Sequence, residues 1–402
     1  MGIKKLAFAG LLGIASLGWQ PAHADVVEKL VKILQEKKLI TPQEAQELLQ
    51  EARKEREQNK LPENTLKRLE KLAQIKISGK AYLHYDYTRT SPDINQDDKG
   101  EFKVSRAYFE VRKYFNSKDN YFRLTTDVRQ DNDGYYRVFL KYAYLNWTFS
   151  PQLATEIGMV HRAWVDWEEH HGWLHRDVEK TFIEDADGAH LIGSADLGIA
   201  LKGKYGKLFD YLVGIYNGEG YHGLEDDKHF GKSIEGRISF YPYQSVTLAF
   251  HTAQIFNSGT EPNKHIYQPF VEYKNQYFLV AAQYIYDHEE GNSNPTYNNW
   301  GWSINGDIYL KPVIDMPITL FGRYGSWNFD SDLEGDKTDI NTVDRWQVLL
   351  GAAYKWNKYI RTSLAYKYVK YDLADSVVGD GPQYKYHSDY KDTIMAVMQV
   401  KW

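Results

Sequence analysis

Apolar and polar residues alternate through most of this chain, and no other sequence feature constrains its fold as strongly. Successive side chains of a β-strand point to opposite faces of the sheet, so each alternating run predicts a strand with one apolar and one polar face. The first run starts at Ile75, and further runs cover residues 195–204, 234–240 and 304–310. Alternation alone fits a soluble sandwich, with its apolar faces inside, or a membrane barrel, with its apolar faces toward lipid.

The connections between the runs favour the barrel. Residues 116–120, 150–152, 241–244 and 357–359 form short connections, whereas residues 91–100, 164–194, 218–233 and 330–343 form long polar ones. Short turns on one side and long loops on the other are typical of outer-membrane barrels. Counting the runs predicts an all-β transmembrane barrel of about 16 antiparallel strands, with fourteen or eighteen as alternatives. Pro269 lies inside one run, which predicts a bulge or a misplaced boundary there.

The aromatic content also fits a membrane. The chain has 32 Tyr, 17 Phe and 11 Trp, and aromatic side chains concentrate at membrane–water interfaces. One face of residues 346–356 carries aromatics at both ends, and ten tilted strand residues cover about 25 Å of membrane normal. The longest apolar stretches, such as residues 278–285, are too short for a membrane-spanning helix.

The amino terminus has the pattern of a secretory signal. Lys4 and Lys5 precede an apolar run, and Ala22-His23-Ala24 supplies small residues for cleavage before Asp25. The alternative is a buried amino-terminal helix. Removing these two lysines leaves 47 Lys and Arg against 54 Asp and Glu, a net charge of −7. This balance argues against a nucleic-acid partner.

Residues 25–74 have helical spacing and are expected in the periplasm. Apolar residues recur three and four positions apart in three stretches: Val27, Leu30, Val31 and Leu34; Ala45, Leu48, Leu49 and Ala52; Leu66, Leu69, Leu72 and Ala73. Residues 41–44, Thr-Pro-Gln-Glu, predict a capping box that restarts the helix. Such short stripes must pack on each other or on sister chains as a coiled coil. The alternative is a charged, partly helical linker, mainly at residues 53–60.

Several segments resemble known outer-membrane proteins. The last strand ends on Met398, Val400 and Trp402, an alternation that resembles the assembly signal of bacterial outer-membrane barrels. Residues 104–112, 141–147, 154–160 and 194–198 resemble the early strands of trimeric porins, and the helical extension resembles that of phosphate-selective porins. The resemblance implies a barrel at residues 75–402 in the outer membrane, inserted by the barrel assembly machinery. It also implies contact with outer-membrane lipid and a homotrimer that passes small hydrophilic solutes and ions.

The longest connection between early strands, residues 164–194, is rich in acids. In the resembled porins the corresponding loop folds into the barrel and narrows the pore. An ordinary external loop is the alternative. Its cations are Arg176 and Lys180, and its carboxylates are Asp166, Glu168, Glu169, Asp177, Glu179, Glu184, Asp185 and Asp187.

Four arginines are expected on the lumen face of the second and third strands: Arg106, Arg112, Arg123 and Arg129. We call this set the basic wall. Opposite an acidic loop it would create a transverse field across the pore. The alternative is local salt bridges with Glu110 and Asp127. Because carboxylates in a narrow site act more strongly than distant wall charges, the sequence predicts a mild cation preference.

Other functions have weaker support from the residues. His170, His171 and His175 lie near Glu168 and Glu169, but their spacing matches no established metal site. No nucleophile elbow, phosphate-binding loop or zinc-protease motif occurs, so no enzyme, metal or cofactor is predicted. A barrel-anchored tether to the periplasm or cell wall, or a phosphate- or anion-selective channel, remains as an alternative to a general diffusion porin.

Overall fold

The computed structural model describes residues 31–35, 40–56, 73–91, 98–130, 134–221, 232–257, 262–290, 296–330, 344–372 and 389–402. Residues 31–35 are helical, and helix α1 spans Pro42–Arg56. The predicted signal segment, residues 1–24, lies outside the described residues, as do residues 25–30, 36–39 and 57–72 of the predicted helical segment. None of the helices among the described residues is long and apolar enough to cross a bilayer.

Helix α1 starts at the predicted capping box. The backbone N–H of Glu44 donates to Thr41 Oγ1 at 3.2 Å, and the backbone N–H of Thr41 donates to Glu44 Oε2 at 2.7 Å. These reciprocal bonds satisfy donors that a helix start leaves free.

The described residues contain sixteen strands in one closed antiparallel barrel, which confirms the predicted fold class. Two short helices, α2 (Val165–Glu168) and α3 (Lys311–Ile314), lie in connections. The strands are β1 Ile75–Thr90, β2 Lys99–Tyr114, β3 Tyr121–Gln130, β4 Tyr136–Ser150, β5 Leu153–His161, β6 Ala195–Tyr205, β7 Phe209–Tyr216, β8 Lys232–Tyr243, β9 Val246–Phe256, β10 Asn263–Lys274, β11 Phe278–Glu290, β12 Tyr297–Tyr309, β13 Ile318–Asn328, β14 Arg345–Lys355, β15 Ile360–Tyr371 and β16 Asp389–Lys401.

The first and last strands close the barrel. Each strand pairs with its neighbours in the chain, and β1 pairs with β16 from Lys80 opposite Lys401 to Thr90 opposite Lys391. The backbone N–H of Trp402 donates to the Gly79 carbonyl at 3.1 Å. Closure gives every described strand a neighbour on both sides, as a lipid environment requires.

The alternating faces decide between sandwich and barrel. On β15, Leu364 is 62% exposed on the outside, whereas Lys367 is 4% exposed on the inside. The same division holds along β11, where Val280 and Tyr284 face outward and Gln283 is buried inside. An apolar exterior around a polar interior is the arrangement of a membrane barrel.

The strand at Pro269 keeps its register. Pro269 pairs with Phe250 of β9. On the other side, the pairing of β10 with β11 stops at Tyr267 opposite Tyr286 and resumes at Phe270 opposite Gln283, which is the same register. The proline, which has no N–H to donate, interrupts the ladder without the expected bulge.

Candidate pore loop and lumen site

The connection between β5 and β6, residues 162–194, lies in the barrel lumen. Trp164 stacks on His251 of β9 with ring centroids 5.3 Å apart. His175 Nε2 lies 2.9 Å from Asp307 Oδ1 of β12, and His84 Nε2 of β1 lies 2.7 Å from the Asp177 carbonyl. A segment that contacts the inward faces of strands on several sides of a closed barrel is inside it.

Apolar contacts explain why this loop turns inward. Trp164, Phe182 and Ile183 are almost completely buried, and they pack in a cluster with Ala253 and Ile285 on the inward faces of β9 and β11. Each buried side chain of this size contributes about 2 kcal/mol. The sequence indicated this cluster, because apolar residues such as Ala253 and Ile285 at lumen-facing strand positions would otherwise contact water.

Lys367 of β15 anchors the far end of the loop. Its Nζ lies 2.8 Å from Glu179 Oε2, 3.0 Å from Asp185 Oδ2 and 2.8 Å from Asp187 Oδ2. Asp187 also accepts a hydrogen bond from the Tyr371 hydroxyl at 2.6 Å. These three carboxylates are therefore paired with a buried lysine of β15.

Three arginines on strands β13 to β15 also bind the loop. Arg361 of β15 forms an ion pair with Asp177. Arg323 of β13 donates to the Lys180 carbonyl at 2.8 Å, and Arg345 of β14 donates to the Gly188 carbonyl at 2.8 Å. The carbonyl groups that Arg323 and Arg345 bind are uncharged, so the charges of these arginines still balance neighbouring acids. Together these contacts hold the loop against β13 to β15.

Glu168 is a buried acid of α2 without an ion-paired base among the described residues. It accepts hydrogen bonds from the Trp164 indole at 2.7 Å and from Gln283 Nε2 at 2.9 Å. Burial raises its pKa to about 7. Glu168 therefore titrates near neutral pH and contributes less than a full negative charge there.

Arg176 and the remaining acids form the side of the loop that faces β1 to β4. Arg176 forms an ion pair with Glu184, and its Nε lies 3.3 Å from Glu169 Oε1. Burial alone would raise the pKa of Glu184, but the Arg176 guanidinium outweighs it and holds that pKa below the usual range. Asp166 has a side chain 44% exposed, 3.9 Å from His161.

Salt bridges hold three of the four basic-wall arginines, all of them described. Arg106 Nη1 lies 2.6 Å from Asp127 Oδ2. Arg112 Nε and Arg123 Nη2 lie 2.7 Å and 2.6 Å from the two oxygens of Glu110. Arg129 lies over the Phe139 ring at 4.8 Å. Glu110 thus balances two arginines, which leaves this part of the wall positive.

Two adjoining cavities lie between the loop and the strands, and both are lined by Tyr82 and Arg176. The main cavity has a volume of about 440 Å³, and the smaller one about 240 Å³. Described cationic side chains lining the main cavity are Lys80, Arg112, Arg123, Lys141, Arg176 and Lys401, and the acidic ones are Glu110, Asp166 and Glu169. In the smaller cavity they are Lys103, Arg106, Arg176, Lys180, Lys367 and Lys391 against Asp86, Asp177, Glu179 and Asp187.

The lysines of this lumen were not among the site residues predicted from the sequence. Lys80, Lys401 and Lys141 line the main cavity, and Lys367 and Lys391 bind loop acids. The alternation of β1 was a signal for Lys80, because this residue occupies a position between outward-facing residues of the strand. For Lys141 the two halves of β4 give opposite faces, so only the structure could place it.

The three loop histidines do not converge. His170 Nδ1 lies 2.6 Å from the Asp166 carbonyl, and His171 Nδ1 lies 2.9 Å from the Trp167 carbonyl, so each donates to backbone. Burial lowers the pKa of His171 to about 4. Within the described part of the chain no three His, Cys, Asp or Glu side chains are grouped to hold a metal.

The residues of the predicted assembly signal lie on β16 and just beyond it. Met398 is exposed on the outside of the barrel, Trp402 is half exposed and borders the main cavity, and Val400 pairs with Ala81 of β1. Their role in assembly stays a prediction.

The barrel is similar to solved outer-membrane proteins. An anion-selective porin from Comamonas acidovorans has 9% identity and a TM-score of 0.63, covering 82% of this chain and 99% of that one. The channel DcaP of Acinetobacter baumannii has 12% identity and a TM-score of 0.57, covering 82% and 97%. OmpT of Vibrio cholerae in its trimer form has 12% identity and a TM-score of 0.53, covering 82% and 99%. The chain thus has the fold of Gram-negative outer-membrane porins. Its sequence matches no protein-family model and no curated protein.

Proposed function

We propose that this protein is an outer-membrane channel through which small hydrophilic solutes and ions diffuse, and that it favours anions. A closed barrel of sixteen strands is too wide for its own side chains to fill. The loop of residues 162–194 occupies part of the lumen and leaves cavities beside it. A narrowed, water-accessible lumen is what a diffusion channel requires.

The observation that carries the anion preference is the charge around the main cavity. Its described lining has six cationic side chains against three acidic side chains. The cation preference expected from the sequence counted eight loop carboxylates as facing the passage. Of those eight, all described, seven are buried or bound to bases. Only Asp166 and Glu169 line the main cavity, and Glu169 is itself paired with Arg176. Paired charges act weakly on a passing ion, so the cations that no acid balances determine which sign of ion the channel prefers.

The proposal rests on these charges rather than on likeness. One similar structure is described as anion-selective, but at 9% identity the similarity is one of fold. A homotrimer in outer-membrane lipid, with the amino-terminal segment in the periplasm, completes the proposal. The apolar exterior of the barrel supports the lipid contact, and the similar OmpT structure is described as a trimer.

The test is the reversal potential of purified full-length protein in planar bilayers under a potassium chloride gradient. At low salt, chloride should permeate faster than potassium. The preference should weaken near 1 M salt, where screening shortens the reach of charges to about 3 Å. Replacing Lys80 and Lys401 together with glutamine should reduce the preference. Lys99, which is outside both cavities and paired with Glu101, provides the matched control as Lys99→Gln.

Two results would contradict the proposal. Clear potassium preference at low salt would mean that the loop carboxylates determine the sign after all. Folded, inserted protein that passes no current would exclude a diffusion channel and favour a tether.

A further inference from the structure

A β-bulge turns Lys141 into the lumen. In the pairing of β3 with β4, Thr125 lies opposite Tyr142 and Thr126 lies opposite Leu140, so Lys141 is the extra residue. Simple alternation would place it outward with Ala143. Instead it is 6% exposed and lines the main cavity. Bulges redirect single side chains and are frequent beside functional sites.

Three tyrosine rings surround the Lys141 ammonium. Its Nζ lies 4.9 Å from the ring centroid of Tyr108, 5.5 Å from that of Tyr142 and 5.8 Å from that of Tyr221. Aromatic faces stabilise a cation, but they accept none of its three N–H hydrogen bonds in the way that an oxygen does. Salt-bridge partners hold Arg123 and Arg176, which line the same cavity, whereas no described carboxylate forms a salt bridge with Lys141.

A second donor beside Lys141 also lacks a partner. The Tyr108 hydroxyl is buried and forms no hydrogen bond with any described residue. Tyr108 lines the main cavity, and its ring is the one closest to Lys141 Nζ. A buried polar group without a partner is costly, so the Tyr108 hydroxyl beside an ammonium that contacts only rings indicates a ligand that accepts hydrogen bonds.

The surroundings define the chemistry of that ligand. Arg123 lies over the Tyr142 ring at 4.3 Å, so a guanidinium and the Lys141 ammonium flank the same tyrosine. The net positive lining favours an anion. The cavity of about 440 Å³ is in the size range of small-molecule sites.

We propose that Lys141 and Tyr108 form a binding site for the oxyanion group, carboxylate or phosphate, of a small solute passing the loop. The oxygens of such a group can accept from the Lys141 ammonium and from the Tyr108 hydroxyl at once, whereas chloride offers no pair of oxygens. The site rests on the proposed function, because it requires an open lumen. It adds saturable binding to what would otherwise be simple diffusion.

The experiment measures chloride conductance of the full-length channel in planar bilayers while potassium acetate or inorganic phosphate replaces chloride at constant ionic strength. Conductance should fall along a saturating curve for the oxyanion that binds, and the two salts distinguish carboxylate from phosphate. A hydrogen bond to a charged group is worth enough that Lys141→Gln should raise the half-saturating concentration about tenfold. Lys141→Arg should largely preserve it.

Two further variants separate the site from general charge. Tyr108→Phe removes only the hydroxyl and should raise the half-saturating concentration less than Lys141→Gln does. Lys80→Gln removes a charge from the same cavity, so it should shift the reversal potential and leave the saturation curve within about twofold of wild type. Only folded protein forms channels, so each recorded variant reports on the native barrel.

The outcomes keep the site apart from the proposed anion preference. Chloride preference without saturation by either oxyanion, or saturation unchanged in both Lys141→Gln and Tyr108→Phe, overturns the site alone. Saturation that depends on Lys141 in a channel that prefers potassium supports the site and overturns the anion preference.

Discussion

Replacing Lys367 with methionine should release the far end of the loop. Methionine keeps most of the side-chain length and removes the charge that binds Glu179, Asp185 and Asp187 at 2.8 to 3.0 Å. Removing one partner of a buried ion pair costs about 3 to 5 kcal/mol, because the remaining charges stay buried and unbalanced. Since about 1.4 kcal/mol is a factor of ten, the population of released loop should rise about 10² to 4 × 10³-fold.

Two measurements report this release. Single-channel current should become noisier and its mean larger, and amide hydrogen exchange at residues 177–190 should accelerate while the strands keep their protection. Lys391→Met is the matched control, because Lys391 lies at 3.4 Å from Asp187 and is a third exposed. Such a partly exposed pair contributes about 0 to 1 kcal/mol. Conductance and exchange in Lys367→Met equal to those of the control would refute this account of the anchor.

Three other predictions concern pH, charge and the amino-terminal segment. Burial raises the pKa of Glu168 from 4.5 to about 7, so the docked loop binds this proton more tightly than a released loop does. Docking of the loop should weaken as pH rises from about 4.5 to about 7 and stay constant above pH 7. Hydrogen exchange of residues 164–170, corrected for intrinsic rates, measures this pH dependence, and the Glu168→Gln variant should lack it. Asp166→Asn with Glu169→Gln should move the reversal potential toward stronger chloride preference, and Arg112→Gln with Arg123→Gln should move it the other way; shifts of the same sign would refute the charge assignment. A chain without residues 25–74 should still insert and conduct in bilayers, and failure to insert would show that the barrel depends on that segment.

The strands were predictable because their cause is local. Alternation from Ile75 onward, the turn-forming connections and the aromatic ends of residues 346–356 each involve residues close in sequence, and the structure confirms about sixteen strands. The loop at residues 164–194 was recognisable by its length and by resemblance. The cation preference inferred from its charge stays a prediction, and a count of carboxylates along the chain does not reveal that Lys367 or Arg361 lies opposite them.

Lys141 illustrates why the rest of the site could not be predicted. Alternation from Leu140 assigns it to the lumen and alternation from Ala143 assigns it to the lipid face, and only its register against β3 shows that it is the extra residue of a bulge. Register depends on hydrogen bonds to another strand, which one sequence does not display.

The sequence by itself determined the class of the protein, since an apolar exterior and polar interior follow from alternation, and alternation is local. The tertiary structure decided which charges remain available in the lumen. Ion pairs such as Asp177 with Arg361 join residues 184 positions apart, and such pairing cancels charge only when folding brings the partners together. The sign of the field in the pore is therefore a property of the folded barrel.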